Sequence, residues 1–245
     1  MRGEIQNFIH YLQTVKNAAA NTVVSYERDL RKMSAYMAEQ GIFTAEKVTS
    51  TILNAYVLYL EESGMSTATI SRTIATLRRF FDYQCKHGSC NQDPSELLKA
   101  PKVERKPTHV VTEEELQQIL SIEGKSMKQL RDRAMVLAMC QGIRATELIH
   151  LRVSDINLDL GYMVLQGERA SRTVAISSRL EGALRAYLSD ARETLLKGHE
   201  TDVVFVNCNG GSLSRQGVWK VVKHYGEQVG VPELTPDGLR MPAEG

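Results

Sequence analysis

Three stretches of this 245-residue chain place residue types where phosphate chemistry can use them. In Gln141-Gly142-Ile143-Arg144-Ala145-Thr146-Glu147-Leu148, one helical pattern stops at a glycine and another begins within two residues, with an arginine in its first turn. A guanidinium beside a helix N-terminus combines bidentate donors with free backbone N–H groups, which suits a phosphate oxygen. A surface Arg144–Glu147 ion pair explains the same spacing. Ser71, Arg72, Arg78, Arg79 and Lys86 fall on one helical stretch whose nearby acid is Asp82. Arg72 and Arg79 share a face, with Arg78 beside them. Such a face can neutralise phosphates and enter a major groove, or simply be solvated. Arg240, in Thr235-Pro236-Asp237-Gly238-Leu239-Arg240, has little local context.

Other chemistries lack their residues. The chain has no G-x-x-x-x-G-K-[ST], H-E-x-x-H, G-x-S-x-G or G-x-G-x-x-G pattern, and its six histidines have no metal-ligand spacing, so neither metal nor cofactor is expected. His224-Tyr225 near Lys220 and Lys223 is polar, but amphipathic packing accounts for it equally well. Four cysteines without a C-x-x-C pair read as reduced thiols of a cytoplasmic protein. With 42% hydrophobic and 24% charged residues, a disordered chain, a collagen and a disulfide scaffold are excluded. No apolar run is long enough to span a membrane, and the opening MRGEIQNFIHYLQ lacks a secretory h-region, so no membrane partner is expected. Net charge is +1. Up to Lys106 there are 14 Lys+Arg against 11 Asp+Glu, and after it 16 against 18, a small bias toward an anionic partner for the first half.

The elements that must position these residues follow from periodicity. Val23, Tyr26, Leu30, Met33 and Met37 recur at helical steps, with Asn21 or Thr22 as N-cap and Gly41 as stop. A helix from about Thr51 to Glu62 follows, then one from a Ser66 or Thr67 cap to about His87. With a short helix near Ile5 to Val15, residues 1–99 form a four-helix domain. Residues 100–110, with Pro101 and Pro107, read as a linker. In 111–245, Thr112 and Glu115 form a capping box opening a helix to Leu120, and a second helix runs from about Lys128 to Gln141. Tyr162–Leu165 and Thr173–Ile176 read as a β-hairpin. A helix (Arg179–Leu196), a strand (Val203–Val206) and a last helix (Ser214–Val229) complete the plan. The fold class is mainly α, with an α+β C-terminal part containing a small antiparallel sheet.

In order and spacing these segments resemble the Xer-type tyrosine recombinases of the phage-integrase superfamily over essentially the whole chain. The resemblance rests on Asn21-Thr22 with Ser25-Tyr26-Glu27-Arg28-Asp29-Leu30, and on Leu77-Arg78-Arg79-Phe80-Phe81-Asp82-Tyr83, Asp93-Pro94, Pro101-Lys102 and Leu130-Arg131-Asp132-Arg133-Ala134. It continues through Gly142–Leu148, Leu151, Asp155-Ile156, Val218-Trp219-Lys220, Lys223-His224-Tyr225, Thr235-Pro236 and Leu239-Arg240. It implies a SAM-like core-binding domain and a catalytic domain that clamp duplex DNA at an inverted-repeat recombination site, beside a homologous or paired recombinase subunit. A tyrosine then forms a 3′-phosphotyrosyl link without metal or cofactor. On that pattern Arg144 and Arg240 are the two catalytic arginines and Glu147 supports the first. Arg72, Arg78, Arg79, Arg172 and Lys220 are the expected DNA contacts.

The departures from the family pattern are as informative. The hairpin turn, where the family places a general-acid lysine, reads Gly167-Glu168-Arg169-Ala170-Ser171-Arg172. Glu168 cannot act as an acid while ionised, and Arg169 seldom gives up a proton. The family's H-x-x-R histidine falls on Asp237. No tyrosine follows Tyr225, and Met241–Gly245 does not match the helix that follows the second arginine. The expectation is a recombinase-type DNA binder, truncated before the nucleophile and its last helices and cleavage-deficient. The alternatives are a fragment of an active recombinase, produced by a frameshift or early stop, and a non-catalytic protein-interaction remnant. A frameshift predicts that the gene, sequenced through its stop codon, encodes a glycine-histidine segment and a tyrosine in another frame. Finding no such segment would leave the short form as the product.

Overall fold

The computed structural model describes residues 1–103, 107–122, 126–167 and 170–240. The chain divides into two compact units, Met1–Arg105 and Lys106–Gly245. The first consists of helices α1 (Arg2–Thr14), α2 (Ala20–Glu39), α3 (Ser50–Glu62) and α4 (Thr67–Lys86). Each buries one stripe: Ile5, Phe8, Ile9 and Leu12 on α1, and Ile70, Ile74, Leu77, Phe80 and Phe81 on α4. Phe8 meets Phe80 edge to face at 5.6 Å. Ser66 caps α4 by accepting from the Thr69 N–H, and Gly88, at φ +74°, ends it. The cap expected at Asn21 or Thr22 is displaced. α2 begins earlier, after Ala19, and has no side-chain cap.

The basic face of α4 is partly committed to this fold. Arg72, expected as a cation for phosphate, instead donates from Nε and Nη2 to the two carboxylate oxygens of Asp29 on α2, at 3.0 and 2.9 Å. Asp29 is 2% exposed and also accepts from Thr76 Oγ1 at 3.3 Å. The physical reason is burial, since a carboxylate taken from water needs a partner and Arg72 is the one within reach. Arg78 donates to the Leu98 carbonyl and ties down the segment that follows α4. Arg79 remains exposed.

The second unit contains α5 (Glu113–Ser121), α6 (Met127–Cys140), α7 (Ala145–His150), α8 (Ser178–Ala186), α9 (Arg192–Leu196) and α10 (Arg215–Gln228). The Thr112–Glu115 capping box forms as expected, and Ser126 with Gln129 makes another at α6. Strands β1 (Ile156–Asn157), β2 (Tyr162–Leu165) and β3 (Arg172–Ala175) form an antiparallel sheet in that order. Met163 pairs with Val174 and Leu165 with Arg172, so β2 turns Met163 and Leu165 into the core. The expected hairpin therefore gains a third strand. The turn carrying Glu168 and Arg169, and the tail from Met241, lie outside the described residues.

Two further expectations change. Val203–Val206 makes only isolated bridges, Arg152 with Val203 and Val206 with Ser212, rather than a ladder. The helix over 178–196 is interrupted by a π-helical segment, Tyr187–Ala191. There the buried Tyr187 hydroxyl donates to the Val204 carbonyl, accepts from the Val206 N–H, and its ring stacks on Phe205 at 5.5 Å. Arg131, buried on α6, holds the same segment through the Val206 carbonyl at 2.9 Å. Among the described residues no helix is long and apolar enough to cross a membrane.

The Asp29–Arg72 pair gives an asymmetric expectation. Arg72→Ala leaves a buried carboxylate with only Thr76 and should cost roughly 3 kcal/mol, whereas Asp29→Ala leaves a half-exposed guanidinium that water can solvate and should cost roughly 1–2 kcal/mol. Urea denaturation of the two variants checks the order, and equal losses would contradict it.

Candidate functional site

Gly142, at φ +84°, turns the chain out of α6, and Ile143 is fully buried, so Arg144 emerges at a fixed point before α7. The Arg144 backbone N–H donates to Glu147 Oε2 at 2.8 Å. Glu147 is only 8% exposed. Arg172 on β3 grips it bidentately, Nε to Oε1 at 3.1 Å and Nη2 to Oε2 at 3.0 Å, and Nη2 also reaches the Gly142 carbonyl at 3.1 Å. The Arg144 guanidinium approaches Glu147 only to 3.8 Å, outside hydrogen-bonding range, and its side chain is 62% exposed. One buried carboxylate thus fixes one arginine and leaves another facing solvent.

Arg172, expected as a DNA contact, is engaged by Glu147, a buried carboxylate that is costly to leave unpaired, while its side chain stays 44% exposed. The proposed helix-terminus donors also weaken: α7 has only six residues, and the Arg144 N–H is already taken. Burial opposes ionisation of Glu147, but the hydrogen bonds from Arg172 and the Arg144 N–H, with the charges of both arginines, outweigh it and hold the carboxyl below its usual 4.5. The same hydrogen bond raises Arg172.

The segment 235–240 is a tight turn. The Gly238 N–H donates to the Thr235 carbonyl at 2.9 Å, and Leu239 is buried. The Val111 N–H donates to the Gly238 carbonyl at 2.8 Å, and a Cβ on Gly238 would lie 2.1 Å from the His109 carbonyl oxygen. Only glycine permits that approach. Arg240 Nη1 lies 3.2 Å from Asp237 Oδ1, so the acid expected in the motif histidine's place pairs with the arginine expected as the second of the two.

Arg144 and Asp237 line one open cleft of 690 Å³ with Thr108, Thr146, Thr235 and, from α10, Arg215 and Trp219. Packing of α7 against α10 brings these residues together. Trp219 is 48% exposed, with Lys223 Nζ 4.8 Å from its ring. Arg215 and Trp219 were not singled out for chemistry from sequence, although their four-residue spacing on a helix behind a Ser214 cap was the available signal. Lys220 is exposed on α10 but does not line the cleft, nor does Arg240.

The site thus displays one exposed arginine at a cleft, its backbone fixed by a buried glutamate, on a helical unit carrying a small antiparallel sheet. The chain belongs to the tyrosine recombinase (phage integrase) family. The Phage integrase family model matches residues 109–243, and the Phage integrase N-terminal SAM-like domain model matches residues 5–88. The chain is 36% identical over 240 residues to a putative tyrosine recombinase of Caldanaerobacter subterraneus subsp. tengcongensis, covering 96% of this chain and 81% of that protein. It is 33% identical to the tyrosine recombinase XerD of Oceanobacillus iheyensis, with the same coverage of each. Its fold is similar to that of the Tn1549 transposon integrase in complex with transposon right-end DNA (TM-score 0.71, 18% identity, 97% of this chain and 84% of that one). It is also similar to lambda integrase bound to a core site (TM-score 0.67, 17% identity, 98% and 83%).

Glu147 is a test of the site's electrostatics. Its folded pKa lies below the unfolded value, so its stabilisation is present above about pH 4.5 and is lost as pH falls through the folded value. Arg172→Ala removes the main opposing interaction and should move the Glu147 midpoint upward, read by NMR titration of the side-chain carboxyl. A midpoint unchanged by that substitution would show that Arg172 does not hold the charge.

Proposed function

We propose that this chain binds duplex DNA as a recombinase-family protein and that these 245 residues alone do not cleave it. In this reading residues 1–99 are the core-binding domain, 100–110 the linker and 111–245 the catalytic-type domain, in a cytoplasmic protein acting on an inverted-repeat site with a paired recombinase subunit. The observation that carries it is the exposed Arg144 guanidinium at the mouth of a cleft, its backbone fixed by a Glu147 that Arg172 already neutralises. Two arginines around one carboxylate leave a net positive charge for a phosphate oxygen. Arg215 and Trp219 extend the same wall. Lambda integrase on its core site, XerH on difH and the Tn1549 integrase on transposon DNA share the fold and support a DNA partner.

In the first unit Arg79 and Arg78 are the DNA contacts favoured by exposure, with Arg72 secondary because Asp29 shares its charge. In the second unit Lys220 contributes from α10 and Arg172 acts through Glu147. Arg240 is the second phosphate arginine in family position, but its pairing with Asp237 reduces the charge it offers. Deficient cleavage follows from the residue set: Glu168 and Asp237 stand where a general-acid lysine and a histidine are needed, and no tyrosine follows Arg240 among these residues.

Arg144→Ala should weaken duplex binding and flatten the slope of log K against log salt by about 0.9 for each phosphate that Arg144 neutralises. Asp237→Asn should strengthen binding by removing an anion beside the phosphate. A nicked duplex that traps phosphotyrosyl intermediates should give no covalent adduct with this chain. Unchanged affinity in Arg144→Ala, or a trapped adduct, would refute the corresponding part of the reading.

A further inference from the structure

A second cavity, of 360 Å³, lies wholly in the first unit among α1, α2 and α4, and the recombinase reading uses only Arg79 of its lining. Its volume is at the small end of the range for small-molecule sites, about 300–1,000 Å³. One wall is aromatic. Tyr83 and His87, one turn apart on and just after α4, lie 4.0 Å apart at 32°, Tyr11 of α1 lies 4.8 Å from Tyr83, and Tyr11 and His87 meet edge to face at 5.8 Å. Phe8 and Leu12 behind them are buried and belong to the core, but Tyr11 and Tyr83 are half-buried and His87 is exposed.

The rim is basic. Lys16 Nζ sits 5.8 Å from the Tyr11 ring centroid, Arg79 is exposed, and Lys86 lies one turn beyond Asp82. Asp82, the acid lining the cavity, is engaged by Lys86 at 2.8 Å, which leaves an excess of cations. Thr22, from the first turn of α2, adds a hydroxyl. A solvated basic face needs no half-exposed ring cluster, and a packing cluster needs no ring of cations. Together they match a planar ring attached to an anion.

We propose that this cavity takes a nucleoside monophosphate unit, the base against the Tyr11–Tyr83–His87 rings and the phosphate between Lys16 and Arg79. Every base has a π face, so ring contacts of this kind tolerate sequence, while the cations supply the phosphate contact. The unit is either a free nucleotide or an unstacked nucleotide of a DNA strand, since a paired base inside a duplex presents no face to a wall. The second source rests on the DNA-binding reading; the first does not.

Titrating the 245-residue chain with dAMP, deoxyadenosine and inorganic phosphate, followed by tyrosine fluorescence, tests this. dAMP should bind roughly tenfold more tightly than either fragment, because both halves of the site are used. Lys16→Gln with Arg79→Gln should weaken dAMP binding at least severalfold, and Tyr11→Leu should bring dAMP down to the affinity of phosphate. If Tyr11→Leu fails to fold by circular dichroism, the two charge substitutions decide. dAMP binding no tighter than phosphate, or unaffected by the charge substitutions, would overturn the proposal. Competition by an oligothymidylate of about ten nucleotides supports the strand source, and dAMP binding without such competition supports the free nucleotide. Duplex affinity measured on the same chain separates this proposal from the preceding one: loss of duplex binding with dAMP binding intact would remove that reading and leave this site standing.

Discussion

The charge on Glu147 organises the second unit. Its two oxygens receive the Arg144 N–H and both arms of Arg172, so one carboxylate starts α7, pins β3 to the turn after α6 and sets the position from which Arg144 leaves the fold. Because the carboxylate is nearly buried, it cannot rely on water, and the strongest donor near it is recruited for structure. Arg144 stays available for the opposite reason: at 3.8 Å it feels the carboxylate without being bound by it. Protonating Glu147 would remove the charge that strengthens its bonds to Arg172 and to the Arg144 N–H at the start of α7.

The same rule sorts the other arginines. Arg72 meets a buried aspartate and is tied into the first unit, although its own side chain stays partly exposed. Arg240 meets Asp237, an exposed acid, at 3.2 Å, a pairing that water and salt weaken, so that its charge is reduced rather than consumed. Arg144, Arg215 and Arg79 face open space beside rings or cleft walls. An arginine is drawn into the fold where it hydrogen-bonds a buried acid, as Arg72 and Arg172 do, and stays displayed where it does not, as Arg144 does.

Backbone constraints set where those side chains begin. Gly238 allows the 235–240 turn to lie against the His109 carbonyl, and the buried Leu239 fixes the residue after it. Arg240, the last described residue, thereby follows a segment anchored by the buried Leu239 and by the hydrogen bond from the Val111 N–H to the Gly238 carbonyl. The π-helical turn at Tyr187 plays a comparable part beside α6, where it brings the hydroxyl between Val204 and Val206.

Much of this architecture was legible locally. The helices of the first unit, the Ser66 and Thr112 caps, the stops at Gly41, Gly88 and Gly142, and strands β2 and β3 all follow from periodicity and capping, which depend on neighbours within about four residues. The ordered motifs from Asn21 to Arg240 were enough to show the family. What the linear pattern could not show was partnership across distance. Arg72 with Asp29 and Arg172 with Glu147 join residues 43 and 25 positions apart, and Trp219 meets Arg144 in one cleft only because α10 packs on α7. Sequence by itself determined the helices, the two-part order of the chain and which arginines exist; tertiary structure decided which of them are bound and which are displayed, because that choice depends on burial, and burial is set only when distant elements pack.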